Sequence, residues 1–167
     1  MDIFSHGLWT LTMFYRKPYR WYAALIGIAP DLISFGPHFV YSMLFNSFRF
    51  GSPDISTLPA YIFTLYNLSH SFIVFLAAAA VAYILTNKLP WIMAGWGIHV
   101  LVDIPTHTER FFPTPFLFPL SSLKFSGISW GTPWFLLTDY IVLLLVLIYL
   151  IFGSMIKKKI CSSYRGS

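Results

Sequence analysis

The chain has 167 residues, of which 57% are apolar, 20% aromatic and only 10% charged, and it carries a net charge of +5. Soluble domains hold about 25% charged residues, and one of this length cannot bury so much apolar surface, so the composition excludes an ordinary soluble enzyme and points to a lipid bilayer. The excess positive charge lies in two short clusters beside apolar runs, residues 16–20 and 157–159, which suits anionic lipid headgroups and gives no reason to expect nucleic-acid binding.

Taken in chain order, residues 1–15 form an apolar stretch with His6, Trp9, Met13 and Phe14. No basic residue precedes it and Arg16 and Lys17 follow it, so it does not read as a cleavable signal peptide. It predicts an amphipathic or half-inserted helix, with His6 either reaching the bundle or staying at the interface. Apolar runs over 22–45, 60–85, 89–104 and 134–152 predict four helices able, or nearly able, to cross a hydrocarbon core of about 30 Å. The first carries Asp31 and His38, the second His70, and the third His99 and Asp103. The fourth carries only Asp139 near its start and reads as an anchor. Residues 46–59, with Gly51, Ser52, Pro53 and Asp54, read as an exposed connection. Residues 108–133 are rich in Phe and Pro without helical periodicity, which predicts an interfacial segment that either folds over a site as an aromatic lid or merely seals the bundle. The expected fold is therefore an all-α polytopic membrane bundle: about four transmembrane helices and an N-terminal helix in one domain, 1–156, followed by a basic cytoplasmic tail, 157–167.

Orientation follows from the basic residues. With both termini cytoplasmic, eight of the 11 Lys and Arg residues lie inside, and only Arg49, Arg110 and Lys124 lie outside, a positive-inside bias. Measured from the inner ends at about 1.5 Å per residue, Asp31, His38, His70, His99, Asp103 and His107 all fall in the middle-to-outer part of the membrane. Small residues, Gly27 and Ala29 in the first helix, Ala77 to Ala80 in the second, Gly95 and Gly97 in the third, permit close approach of the helices that carry them.

The segment His99-Val100-Leu101-Val102-Asp103-Ile104-Pro105-Thr106-His107 sets three metal-binding side chains at i, i+4 and i+8, on one helix face. Pro105 frees the Leu101 carbonyl and predicts a kink or an end there, which turns His107 either toward the other two or away. Ionisable groups within a span call for a partner, a cavity or an ion. No Lys or Arg lies within the spans to neutralise Asp31 or Asp103.

Ala29-Pro30-Asp31, then His70-Ser71, then Gly95-x-Gly97-x-His99-x-x-x-Asp103 with Thr106 following, and Pro119-Leu120-Ser121 beyond, resembles the pattern of the LexA-binding, inner-membrane-associated hydrolases. These are multi-pass bacterial and archaeal proteins described as membrane-bound and metal-dependent, with a motif likeness to zinc-dependent phospholipase C. The resemblance spans roughly residues 28–130. It implies an inner (cytoplasmic) membrane location in a prokaryote and a metal-activated water acting on a phosphoester or lipid-like substrate. The chain departs from the pattern at Ile33, where the family often has a second carboxylate, and at Leu65, where it has a further histidine. Compensation by His38 or His107, a single metal in place of two, or loss of catalysis would each accommodate this.

A mixed His and Asp set without cysteine suits Zn²⁺ first, then Mn²⁺ or Fe²⁺. Expected ligands are His70, His99 and Asp103, with Asp31 as ligand or general base, His38 as an additional ligand, His107 as ligand or acid, and His6 as a further candidate. Ser71 and Thr106 would orient these groups. Two alternatives share this pattern: a proton or metal-ion transporter, and a catalytically inactive membrane scaffold. No phosphate-binding glycine loop, Gly-x-Ser-x-Gly elbow or His-Glu-x-x-His helix is present, which argues against serine hydrolase and metalloprotease chemistry. The single Cys161 has no internal partner for a disulfide, and membrane lipids are the partners to expect, with oligomeric state unspecified by the sequence.

Overall fold

The computed structural model of the protein describes residues 1–45 and 54–163, with side chains through residue 153. Most of the connection expected over 46–59, the side chains of the basic tail and Cys161 lie outside the described residues. Within them the fold is all-helical, without strands. Six helices follow one another: α1 (Ile3–Met13), α2 (Arg20–Leu44), α3 (Ala60–Ser69), α4 (Phe72–Thr86), α5 (Ala94–Thr106) and α6 (Pro133–Ser163), with 3-10 turns at Ile55–Thr57 and Trp91–Met93.

Two helices are long and apolar enough to cross a membrane, α2 over Arg20–Leu44 and α6 over Pro133–Gly153, and α3 with α4 makes a third if that bent pair is one span. The second predicted helix is thus two, meeting at 60°. Ser71 is the reason. Its side chain accepts from the amides of Ile73 and Val74, which starts a new helix by capping it and stops α3 at His70. The third predicted helix also changes. It begins at Ala94 after a 3-10 turn and spans 13 residues, about 20 Å at 1.5 Å per residue and short of a full crossing. Pro105 lies within the final turn, and the helix ends at His107, whose backbone is extended.

Outer faces are apolar. Leu85 of α4 is 79% exposed, Leu145 of α6 59% and Leu25 of α2 56%, a surface suited to hydrocarbon more than to water. The interior is small and divides in two. One part is aromatic: Ile62, Tyr66 and Phe112, packed by Phe35, Phe63 and Phe111. Here the segment expected as a lid contributes Phe112, so at this point it seals the bundle between α2 and α3.

The other part is a close contact of α1, α2 and α5. A Cβ added to Gly95 would lie 2.4 Å from the Ala23 carbonyl oxygen, and one added to Gly27 would lie 2.4 Å from Thr10 Oγ1. The helices approach backbone to backbone there, as small residues allow. This contact sets the register of α5 on α2: Gly95 lies beside Ala23, and one turn on His99 lies beside Gly27.

Gly95→Ala is therefore expected to cost about 1–3 kcal/mol, because a rigid carbonyl blocks the new methyl. Gly36→Ala, where a Cβ meets nothing within 4 Å, should stay within about 0.5 kcal/mol of the parent. Thermal unfolding of both variants in one detergent checks the contrast.

Candidate metal centre

Four elements deliver the polar interior. Asp31 projects from the middle of α2, His70 from the break between α3 and α4, and His99 and Asp103 from successive turns of α5. α1 inserts His6 from the remaining side. His70, His99 and Asp103 are buried to within 1% of complete, while the Asp31 side chain retains 15% of its exposure.

The imidazoles are oriented from behind. His99 Nδ1 lies 2.7 Å from the Gly27 carbonyl oxygen, and His70 Nδ1 lies 3.2 Å from the Tyr66 carbonyl oxygen and 2.9 Å from Ser69 Oγ. A carbonyl only accepts, so each Nδ1 carries the proton, and each Nε2 is left with its lone pair. This tautomer is inferred from the partners. The Tyr66 ring stacks on His70 with centroids 3.8 Å apart and fixes its plane.

Those two lone pairs face one another at 3.1 Å. Asp103 Oδ2 lies 3.4 Å from His70 Nε2 and 3.2 Å from His99 Nε2. Asp31 Oδ1 lies 3.4 Å and 3.8 Å from the same two atoms. Four acceptors converge with no donor among them, and buried Asp103 Oδ2 has no hydrogen-bond partner. Such a set is repulsive unless a cation or a proton lies between its members. A tetrahedral ion with bonds of about 2.05 Å places its donors about 3.3 Å apart; the His70, His99 and Asp103 atoms are 3.1 to 3.4 Å from one another, and Asp31 Oδ1 lies at 3.4 and 3.8 Å from the two imidazoles.

The other oxygen of Asp103 is saturated. Oδ1 receives the Met1 amino nitrogen at 2.6 Å and His6 Nε2 at 2.8 Å, and His107 Nδ1 lies 3.3 Å away. Burial pushes both the His6 and the His107 imidazoles down to about 4, outweighing the opposite pull of the Asp103 carboxylate. Both are therefore neutral near pH 7 and serve as N–H donors. The His6 ring also stacks on His99 with centroids 3.7 Å apart.

Two overlapping groups could hold an ion: His70 with His99 and Asp103, and His6 with Asp31 and His99. Because Gly27 occupies His99 Nδ1, His99 has one lone pair to give, so the two groups share one nitrogen and overlap at His99. Of the residues expected from sequence, Asp31, His70, His99 and Asp103 come together at this centre, with His6 and His107 against Asp103. His38 does not join them. It lies nearly two turns beyond Asp31 on α2, its Nε2 3.5 Å from Ser42 Oγ, and belongs to neither group.

Two supporting roles also differ. Ser71 does not orient an imidazole but caps α4 and donates to the Phe118 carbonyl, and Ser69 is the hydroxyl that meets His70. Thr106 Oγ1 donates to the Val102 carbonyl and accepts from the Met1 nitrogen at 3.2 Å, so it steadies a neighbour of Asp103. The Met1 contact and the Tyr66 stack escape a reading of the spans alone. Tyr66, one helical turn before His70, is the one that spacing could have disclosed.

Beyond α5 the chain returns to close the centre. Amides of Ile128, Trp130 and Gly127 donate to the carbonyls of Pro105, Thr106 and His107 at 2.9, 3.0 and 2.7 Å. These are carbonyls that a helix end leaves without partners. The same loop is tied to the α3–α4 break, where the Phe72 amide donates to the Phe116 carbonyl at 2.9 Å. Comparison with protein families, curated proteins and solved structures finds no match to this chain.

A Cβ on Gly127 would lie 2.0 Å from the Pro105 carbonyl oxygen. Gly127→Ala should force the strap off the end of α5 and cost about 1–3 kcal/mol, whereas Gly131→Ala, whose Cβ meets only Ser129 Oγ at 3.8 Å, should be near neutral. Paired melting curves distinguish the two.

Proposed function

We propose that this chain is a membrane-bound, metal-dependent hydrolase holding one divalent cation, best Zn²⁺, among His70, His99, Asp103 and Asp31. The observation that carries this reading is the pair of imidazole Nε2 atoms 3.1 Å apart, each ring oriented by a hydrogen bond at the opposite nitrogen. Groups oriented from behind in this manner are characteristic of metal-ligating histidines. The donor set is nitrogen and oxygen without sulfur, in keeping with Zn²⁺ and, less well, Mn²⁺ or Fe²⁺.

When bound, such an ion supplies Lewis acidity, lowering the pKa of a water to about 7 and polarising a phosphoryl or carbonyl oxygen. The chain's own groups divide the remaining work. Asp103 is held in place by His6 and His107, so it anchors. Asp31 is the member of the set that keeps some exposure, so its carboxylate is placed to take a proton from an attacking water. The likeness in motif to the LexA-binding, inner-membrane-associated hydrolases points to a phosphoester, and the apolar exterior to a lipid-like one. The distribution of basic residues supports an orientation with the basic clusters on the cytoplasmic side, and the family likeness implies the inner membrane of a prokaryote.

The test uses full-length protein purified in detergent. Metal analysis should find about one zinc per chain, and a chromogenic phosphodiester should be released at a rate that chelator abolishes and zinc restores. His99→Ala and Asp103→Ala should lose both metal and turnover. Asp31→Asn should keep most of its metal and lose turnover by about 10²-fold or more. Metal without turnover would identify a structural ion or a scaffold, and ion flux into liposomes without turnover would identify a transporter.

A further inference from the structure

The fourth predicted span, α6, reads as an anchor, yet its one acidic residue is not idle. Among the described side chains of α6 only Asp139 and Leu143 are buried. Asp139 accepts from Ser5 Oγ through Oδ2 and from Trp9 Nε1, at 2.8 Å, through Oδ1. Next to it, Tyr140 donates to Asp2 Oδ1 at 2.9 Å, and that same oxygen caps α1 by accepting from Phe4 and Ser5. All of these partners are on α1 or its N-cap.

Ser5 and Trp9 are one turn apart and so lie on one face; His6 and Thr10 are one turn apart on the next face, about 100° round the helix. The first face meets α6. The second meets the metal centre, with His6 on Asp103 and Thr10 packed against Gly27 and Gly95. α1 has 11 residues, too few to hold helical structure in place without docking. Its placement therefore depends on both contacts.

From this geometry we infer that Asp139 is a positioning residue for the metal centre: it clamps α1 so that His6 braces Asp103, although Asp139 touches no member of the ligand set. This inference rests on the metal reading above. Loss of the carboxylate leaves the Trp9 N–H without its partner and the Ser5 O–H with only the Met1 thioether, a weak acceptor; α1 loosens, and Asp103 loses its His6 donor.

The test measures zinc affinity of the full-length protein in detergent by competition with a chelating dye, Zn²⁺ being the only ligand added. Asp139→Leu should weaken zinc binding by about 10–100-fold, the range for partners behind a ligand. Asp139→Asn, which keeps an acceptor oxygen, should recover most of that loss. In a His6→Ala background Asp139→Leu should cause no further weakening, because its effect passes through His6. Trp9→Phe, which removes one donor and little volume, should shift affinity the same way by a smaller factor and serves where Asp139→Leu fails to fold. Unchanged affinity in these variants, or an equal loss with and without His6, overturns the assignment while leaving the metal centre intact. A parent protein that binds no zinc overturns the metal reading and this inference with it.

Discussion

Two carboxylates in an apolar bundle, Asp103 buried and Asp31 nearly so, without a Lys or Arg partner among the described residues, are the constraint from which the rest of this structure follows. Removing an ion from water costs several kcal/mol even after relaxation, and Asp31 and Asp103 are both within the helical interior. The surroundings answer this cost unequally. Asp103 has nitrogen neighbours on both oxygens, while among the described residues Asp31 forms ion-pair contacts only with His70 and His99, with His6 farther off. What remains is a cluster of acceptor atoms of the kind that could hold a metal ion.

Convergence of those acceptors is a consequence of packing one turn lower. α2 repeats small, small, acidic at Ala23, Gly27 and Asp31; α5 repeats small, His, acidic at Gly95, His99 and Asp103. Each set advances by four residues, so each holds one face of its helix. Because Gly95 and Gly27 let the backbones touch, Gly27 offers its carbonyl to His99, and the next turn brings the two carboxylates toward the same pair of imidazoles. Pro30, one residue before Asp31, adds to this by leaving the Ile26 carbonyl without its helical donor and loosening the local helix. Bulk at either glycine would separate the acids along with the helices.

Much of the centre was legible in the sequence because helical spacing is a strong signal and ionisable residues in apolar runs are rare. His99 and Asp103 share a face by spacing alone, and the small residues beside them mark a close contact. Where the reading failed, a local polar interaction competed with the apolar pattern. Ser71 resembles a hydroxyl placed to assist His70, but its oxygen is used by the first amides of α4, and the helix breaks there. His38 has the same residue type as its neighbours, but seven residues beyond Asp31 on α2, about 10 Å along the axis, place it near Ser42 and away from the cluster. The 13-residue α5 was overestimated because the 3-10 turn before it is as apolar as the helix. Asp139 looked like an isolated polar group because its partners are about 130 residues away on α1, a distance over which periodicity carries no information.

The unequal treatment of the two acids also bears on whether the centre does chemistry. A structural ion is held by four fixed ligands, and a catalytic one keeps a position that can open. Three members of this set are immobilised: His70 by Ser69, Tyr66 and the helix break, His99 by Gly27 and the stacked His6, Asp103 by the nitrogens around Oδ1. Asp31 has no such support. It retains 15% of its side-chain exposure where the other three keep 1% or less. A carboxylate that can leave an ion without leaving a hydrogen-bonded framework is suited to exchange with substrate or to accept a proton. Three rigid side chains and one yielding acid are the division that the proposed hydrolytic role calls for, with Asp31 as the group free to exchange.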